Sequence, residues 1–157
     1  MLSSGTCLRL HEEGTWERST GDACCLGGLV AGVVMNVGEG ALHGGVLGAD
    51  AAQQLKAFGL PETMQPWQFP ALVAVTFVLG IASVWLYAAI RPRYGAGPKT
   101  AICAGLAVWV LAHRWSGVYL GAGYASFVTP RLAFLPVAWG LIEAPLGTLV
   151  GAWLYRE

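Results

Sequence analysis

Asn36, Glu39 and His43 follow one another at i, i+3 and i+7 inside an otherwise apolar run, a spacing that sets all three along one face of a helix. An amide, a carboxylate and an imidazole so aligned are donors of the kind that hold a proton or a cation. A second carboxylate, Glu143, stands in another apolar run, with Arg131 and Arg156 about equally far on either side. Each charge at such a depth costs at least about 2.5 to 3.5 kcal/mol to place in hydrocarbon, so two of them imply a reason. If Glu39 and Glu143 meet, joint ionisation is disfavoured and at least one carboxyl is neutral. A proton shared between them, or a cation held there with Asn36 as a third oxygen ligand, is the chemistry that follows. The structural alternative is that each protonated Glu hydrogen-bonds a neighbouring helix and fixes its register.

The elements that must position these residues are four apolar stretches, 25–48, 69–90, 100–119 and 132–155, each close to the ~20 residues needed to cross a bilayer. A composition of 55% hydrophobic and 11% charged residues lies far from the ~25% charged of a soluble domain. The expected fold is therefore all-α: an integral membrane four-helix bundle over residues 25–157, preceded by a polar arm at 1–24. The arm carries Glu12, Glu13, Glu17 and Asp22 beside Arg9 and Arg18, which is neither the basic start nor the apolar core of a signal peptide. Net charge is zero and no basic stripe occurs, which excludes the electrostatic footprint of a nucleic-acid binder.

Orientation follows from the basic residues. Arg9, Arg18, Arg91, Arg93, Lys99 and Arg156 fall on one side of the four stretches, and Lys56, Arg114 and Arg131 on the other. Cytoplasmic loops retain positive charge, so both termini are expected in the cytoplasm. Between the first two stretches, residues 51–58 read as a short helix ended by Gly59 and Pro61. Between the second and third, Pro92, Gly95, Gly97 and Pro98 make a turn. Pro136 and Pro145 interrupt the backbone bonding of the last stretch, and Pro145 frees the Leu141 carbonyl near Glu143.

Small residues recur at four-residue spacing as Gly28 with Gly32, Gly40 with Gly44, Gly44 with Gly48, and Gly147 with Gly151. Such ridges let helices approach closely in lipid, either within one bundle or against a second copy in a homo-oligomer. A weak echo of Ala23–Gly27 in Ala101–Gly105, and of Trp85-Leu86-Tyr87 in Trp153-Leu154-Tyr155, suggests two repeated helical hairpins in the same orientation.

His43 and His113 fall in the same half of the chain's apolar depth, which would suit a bis-histidine haem, a lesser alternative. Arg114 beside His113 is a secondary candidate that snorkels outward or pairs with a carboxylate. Cys25 and Cys103 would be neighbours if the hairpins repeat, which leaves thiol redox chemistry as another lesser alternative. No nucleotide loop, nucleophile elbow or zinc-protease helix is present. An enzyme is not expected, and neither is a resident cofactor or a defined metal.

The run Val84-Trp85-Leu86-Tyr87-Ala88-Ala89-Ile90-Arg91-Pro92-Arg93-Tyr94-Gly95-Ala96-Gly97-Pro98-Lys99-Thr100-Ala101 resembles a segment of a group of small, uncharacterised bacterial four-helix membrane proteins. Gly28–Gly32 with Asn36 and Glu39, and Trp139–Glu143 with Gly151–Tyr155, are similar in the same way. The resemblance covers about residues 26 to 157. It implies four spans and a bacterial inner (cytoplasmic) membrane location, and it brings no activity. The expected arrangement is a bundle with Asn36, Glu39 and Glu143 in a midplane polar cluster, His43 beside it. Such a cluster would bind or pass a proton, a cation or a small polar solute. The rival is a structural or accessory subunit whose polar residues serve packing alone.

Overall fold

The computed structural model describes residues 5–61, 63–114, 117, 119, 123 and 128–155; the side chains of 5–20, 113 and 114 lie outside that description. Among the described residues all regular structure is helical: α1 (Gly5–Gly40), a π-helical segment (Ala41–Val46), α2 (Gly48–Ala57), α3 (Gln68–Tyr94), α4 (Pro98–Trp109), a second π-helical segment (Val110–Arg114) and α5 (Pro130–Leu154). Three stretches are long and apolar enough to cross a membrane: Gly21–Val46, Gln68–Tyr94 and Pro130–Leu154. The fourth, Pro98–Ala112, is shorter, and the expected third span beyond residue 114 falls largely outside the described residues. The polar arm is helical from Gly5 and continues into the first apolar stretch without a break.

Local chemistry sets the ends. Gly59 takes φ +65° after α2, and its N–H bonds the Lys56 carbonyl at 3.0 Å while the Leu60 N–H bonds Leu55 at 2.9 Å. These two bonds complete a Schellman ending, which needs a left-handed residue that glycine supplies without strain. Between α3 and α4, the Thr100 hydroxyl donates to the Gly95 carbonyl at 2.8 Å, and Pro98 opens α4, where a missing N–H costs nothing. Thr129 caps α5 by accepting from the Leu132 N–H at 3.5 Å, with Pro130 again in the first turn. The cap starts this helix two residues before the expected 132.

α1 packs on α3 and α5, and α4 packs on the same two, so the four helices close a ring. Neighbours run antiparallel. Gly28 meets Ile81 and Gly32 meets Phe77 across α1 and α3; Gly27 meets Gly151 and Met35 meets Gly147 across α1 and α5; Gly105 meets Pro145 across α4 and α5. Several approaches are backbone to backbone: a Cβ on Gly151 would stand 2.5 Å from the Gly27 carbonyl oxygen, and one on Gly105 2.5 Å from Pro145 Cα. Two of the expected ridges, Gly28 with Gly32 and Gly147 with Gly151, are therefore spent inside the molecule. A Cβ on Gly40 or Gly44 would have nothing within 4 Å among the described residues.

The interior is built of small residues. Ala31, Ala101, Ala104 and Ala144 are buried together with Gly80, Gly140, Gly147 and Gly151, whereas Leu72, Val75, Val78, Trp85, Ile142 and Trp153 point outward. Large apolar groups outside and small ones inside suit a bundle whose surroundings are as apolar as its core, because close backbone approach then supplies the packing energy. At one end Tyr87 and Tyr155 meet edge to face with centroids 6.0 Å apart, and Arg91 lies over the Tyr155 ring at 5.6 Å. At the other, Arg131 Nη1 pairs with Asp50 Oδ2 at 3.2 Å and ties α2 to the start of α5.

Candidate functional site

Three of the four primary candidates meet. His43 Nε2 lies 3.0 Å from Glu39 Oε2, and both the carboxyl and the backbone N–H of Glu39 face the Glu143 carboxyl on α5, with the Trp139 indole beside it. The contact crosses the α1–α5 interface, where Gly38 removes the side chain that would keep the helices apart. A Cβ at Gly38 would overlap Glu143 Oε1 and sit 3.3 Å from Trp139 Nε1. Sequence reasoning missed Gly38, since it falls outside the four-residue glycine ridges.

Burial falls off steeply across the cluster. The side chain of His43 is 52% exposed and that of Glu39 30%, while Glu143 is 6% exposed. Glu143 Oε1 is shielded from solvent and has no formed hydrogen bond. Although the Glu39 carboxyl and the Trp139 N–H approach this group, neither meets Oε1 with the geometry of a completed bond, so one carboxyl oxygen is desolvated without compensation. A buried polar atom of that kind is costly unless the group is neutral or periodically satisfied by a ligand.

Asn36 goes elsewhere. Its Nδ2 donates to the Gly32 carbonyl at 2.8 Å and reaches the Val73 carbonyl of α3 at 3.5 Å. The expected polar triad is thus split: Glu39 turns toward α5 and the Asn36 amide toward α3, because three residues of helix rotate a side chain by about 300° and two different neighbours flank α1. The Asn36→Ala variant is expected to lose about 0.6 kcal/mol, the average for an interhelical polar contact in a bundle, measured by unfolding in bicelles, with no change in the chemistry of the carboxyl pair.

Glu143 is near the middle of α5, but the α1–α3 register, with Gly28 opposite Ile81, Gly32 opposite Phe77 and Asn36 opposite Val73, sets Glu39 level with Pro70, in the first turn of α3. The helices are staggered, so one pair can be central on one helix and close to an end on another. Immediately beyond Glu39 the chain enters the π-helical segment Ala41–Val46, whose wider turn is marked by Leu47 N–H bonding Leu42 O at 2.8 Å. Such segments recur at functional positions because they re-aim side chains.

His113 and Arg114 lie in the second π-helical segment, and their side chains are outside the described residues. Cys24, Cys25 and Cys103 are free thiols, and among the described residues no group of three or more His, Cys, Asp and Glu side chains is arranged to hold a metal ion. The arrangement can hold one proton or one small cation at a carboxyl pair, with an imidazole on its open side. No protein-family model, curated protein or solved structure matches the chain.

Proposed function

We propose that this chain is a non-enzymatic integral membrane protein, with α1, α3, α4 and α5 as its four spans, that reversibly binds a proton or small cation at Glu39 and Glu143. The observation that carries the reading is the Glu143 carboxyl: 6% exposed, one oxygen unpartnered, and set against a second carboxyl. Two carboxyls in contact in a low-dielectric interior do not both carry charge, so the pair retains a proton or takes up a cation in its place. The resemblance of the sequence to small bacterial four-helix proteins favours the bacterial inner membrane, and the basic residues favour cytoplasmic termini.

The test is an infrared titration of the purified protein in lipid. A neutral-carboxyl C=O band that bleaches reversibly as pH rises, and is absent from Glu143→Gln, supports the reading. Loss of the same band at fixed pH on adding Na⁺, Ca²⁺ or Mn²⁺ identifies a cation as occupant. A band insensitive to both pH and cations leaves a structural subunit, the role for which the Asn36 amide, bonded back to two helix carbonyls, is already suited.

A further inference from the structure

Resting on that reading, we infer that the Glu39–Glu143 pair is a proton well open to one side only, reached through His43 from the face of the bundle that carries α2, and closed toward the α3–α4 turn. The inference deepens the proposal in two respects: the occupant is a proton, and it is held rather than passed across.

The open side is defined by register and by exposure. Glu39 lies level with the first turn of α3, so beyond it α3 no longer covers α1. Gly40, Ala41, His43, Gly44, Gly45 and Val46 are all exposed, and among the described residues nothing lies within 4 Å of a Cβ position at Gly40, Gly44 or Gly45. Exposure descends in one direction, 52% at His43 and 30% at Glu39, then 6% at Glu143. The imidazole is thus the outermost of the three groups and Glu143 the innermost. His43 Nε2 gives its proton to Glu39 Oε2, 3.0 Å away, leaving neutral imidazole and a carboxylic acid; the reverse step returns it.

The closed side is a packed plug. From Glu143 to Tyr155 the α5 backbone runs about 18 Å, and its inward residues Ala144, Gly147, Thr148, Gly151 and Ala152 are buried. Met35, Ala31, Gly27 and Val84 fill the space against them. The two hydroxyls in this stretch are turned into their own helices: Thr148 donates to the Ala144 carbonyl at 2.7 Å and Ser83 to the Gly80 carbonyl at 2.8 Å. A proton leaving Glu143 toward Tyr155 and Arg91 thus meets no titratable relay among the described residues. On the elements that flank the pair, α3 carries no titratable side chain between Gln68 and Leu86, and α4 none between Ala104 and Ala112. Asp50 and Arg131 are paired with each other at the open end. A proton suits the pair better than a cation, because the Trp139 N–H beside the Glu143 carboxyl presents a positive edge where a metal would need a further oxygen.

The experiment uses sealed proteoliposomes held on an infrared cell, with lumenal pyranine as a pH reporter. The fraction of molecules with α2 outward is measured by an impermeant maleimide on Gln53→Cys, read against the native cysteine background. After an external pH jump, the fraction of the Glu143 carboxyl band that titrates is expected to equal the α2-outward fraction. The remainder should titrate only after a protonophore is added, with lumenal pH unchanged before that addition. In His43→Gln the fast phase is expected to be lost while the final amplitude is kept. Titration of all molecules before the protonophore, or Glu143-dependent lumenal acidification, overturns the one-sided well while leaving proton binding intact. Bleaching of the band by a metal ion at fixed pH overturns the identity of the occupant. Absence of any titrating band removes the underlying reading.

Discussion

Gly80→Val is expected to separate α1 from α3 and cost about 3 kcal/mol or more, the upper part of the range for inserting volume into a close-packed interface. The reason is that the added atoms meet backbone. A Cβ on Gly80 would overlap the Gly32 nitrogen and stand 2.7 Å from the Gly28 carbonyl oxygen and from Gly32 Cα. A side chain can rotate away from such a contact, but a helix backbone moves only as a whole, so the interface must open along its length. Gly40→Ala and Gly44→Ala are the matched controls. Among the described residues nothing lies within 4 Å of a Cβ at either position, so each should remain within about 0.5 kcal/mol of the parent, as ordinary surface changes do. Reversible unfolding of the three variants in bicelles measures the difference directly. Equal stability of Gly80→Val and the controls would refute the α1–α3 packing.

The second large effect is expected at Gly38. Gly38→Ala places a methyl group on Glu143 Oε1 and 3.3 Å from Trp139 Nε1, so the carboxyl must rotate off α1 or α5 must withdraw. Either movement separates Glu143 from Glu39. The titrating carboxyl band should therefore be lost from Gly38→Ala as it is from Glu143→Gln, although both glutamates remain. Stability should fall by about 1 to 3 kcal/mol, the usual cost of overpacking. A double-mutant cycle distinguishes the mechanism: truncation in Glu143→Ala removes the atom that is struck, so the cost of Gly38→Ala should shrink in that background. A coupling energy of about 1 kcal/mol or more is expected for residues in contact, and a coupling near zero would show that the two do not touch.

Much of the architecture is legible in the sequence because membrane-length helices are written in composition. Apolar runs of the required length, bounded by Gly59, Gly95, Gly97 and Pro98, specify helices and their ends through local chemistry that needs no tertiary partner. Glu39 and Glu143 are legible as related for a similar reason: isolated carboxyls in apolar runs are costly enough that each requires a partner. The third stretch is helical throughout Pro98–Arg114, first as α4 and then as the π-helical segment, a change of turn that an apolar sequence does not record.

What the residues could not give is direction around the helix axis. Asn36, Glu39 and His43 share a stripe on a helical wheel, yet the stripe is wide enough to face two neighbours, and only packing decides that the Asn36 amide bonds toward Val73 on α3 while Glu39 meets Glu143 on α5. Likewise four glycine ridges look equivalent in sequence. The tertiary structure spends Gly28 with Gly32 and Gly147 with Gly151 on internal contacts and leaves Gly40 with Gly44 open. The sequence by itself determined that this chain forms apolar helices and that two carboxyls within apolar runs need an explanation, because both follow from the cost of exposing backbone or charge to hydrocarbon. Only the tertiary structure decided that Gly38 admits Glu143 to Glu39, that His43 stands on the open side and that packed alanines and glycines close the other, because helix stagger and rotation are set by the sum of many small packing contacts rather than by any local motif.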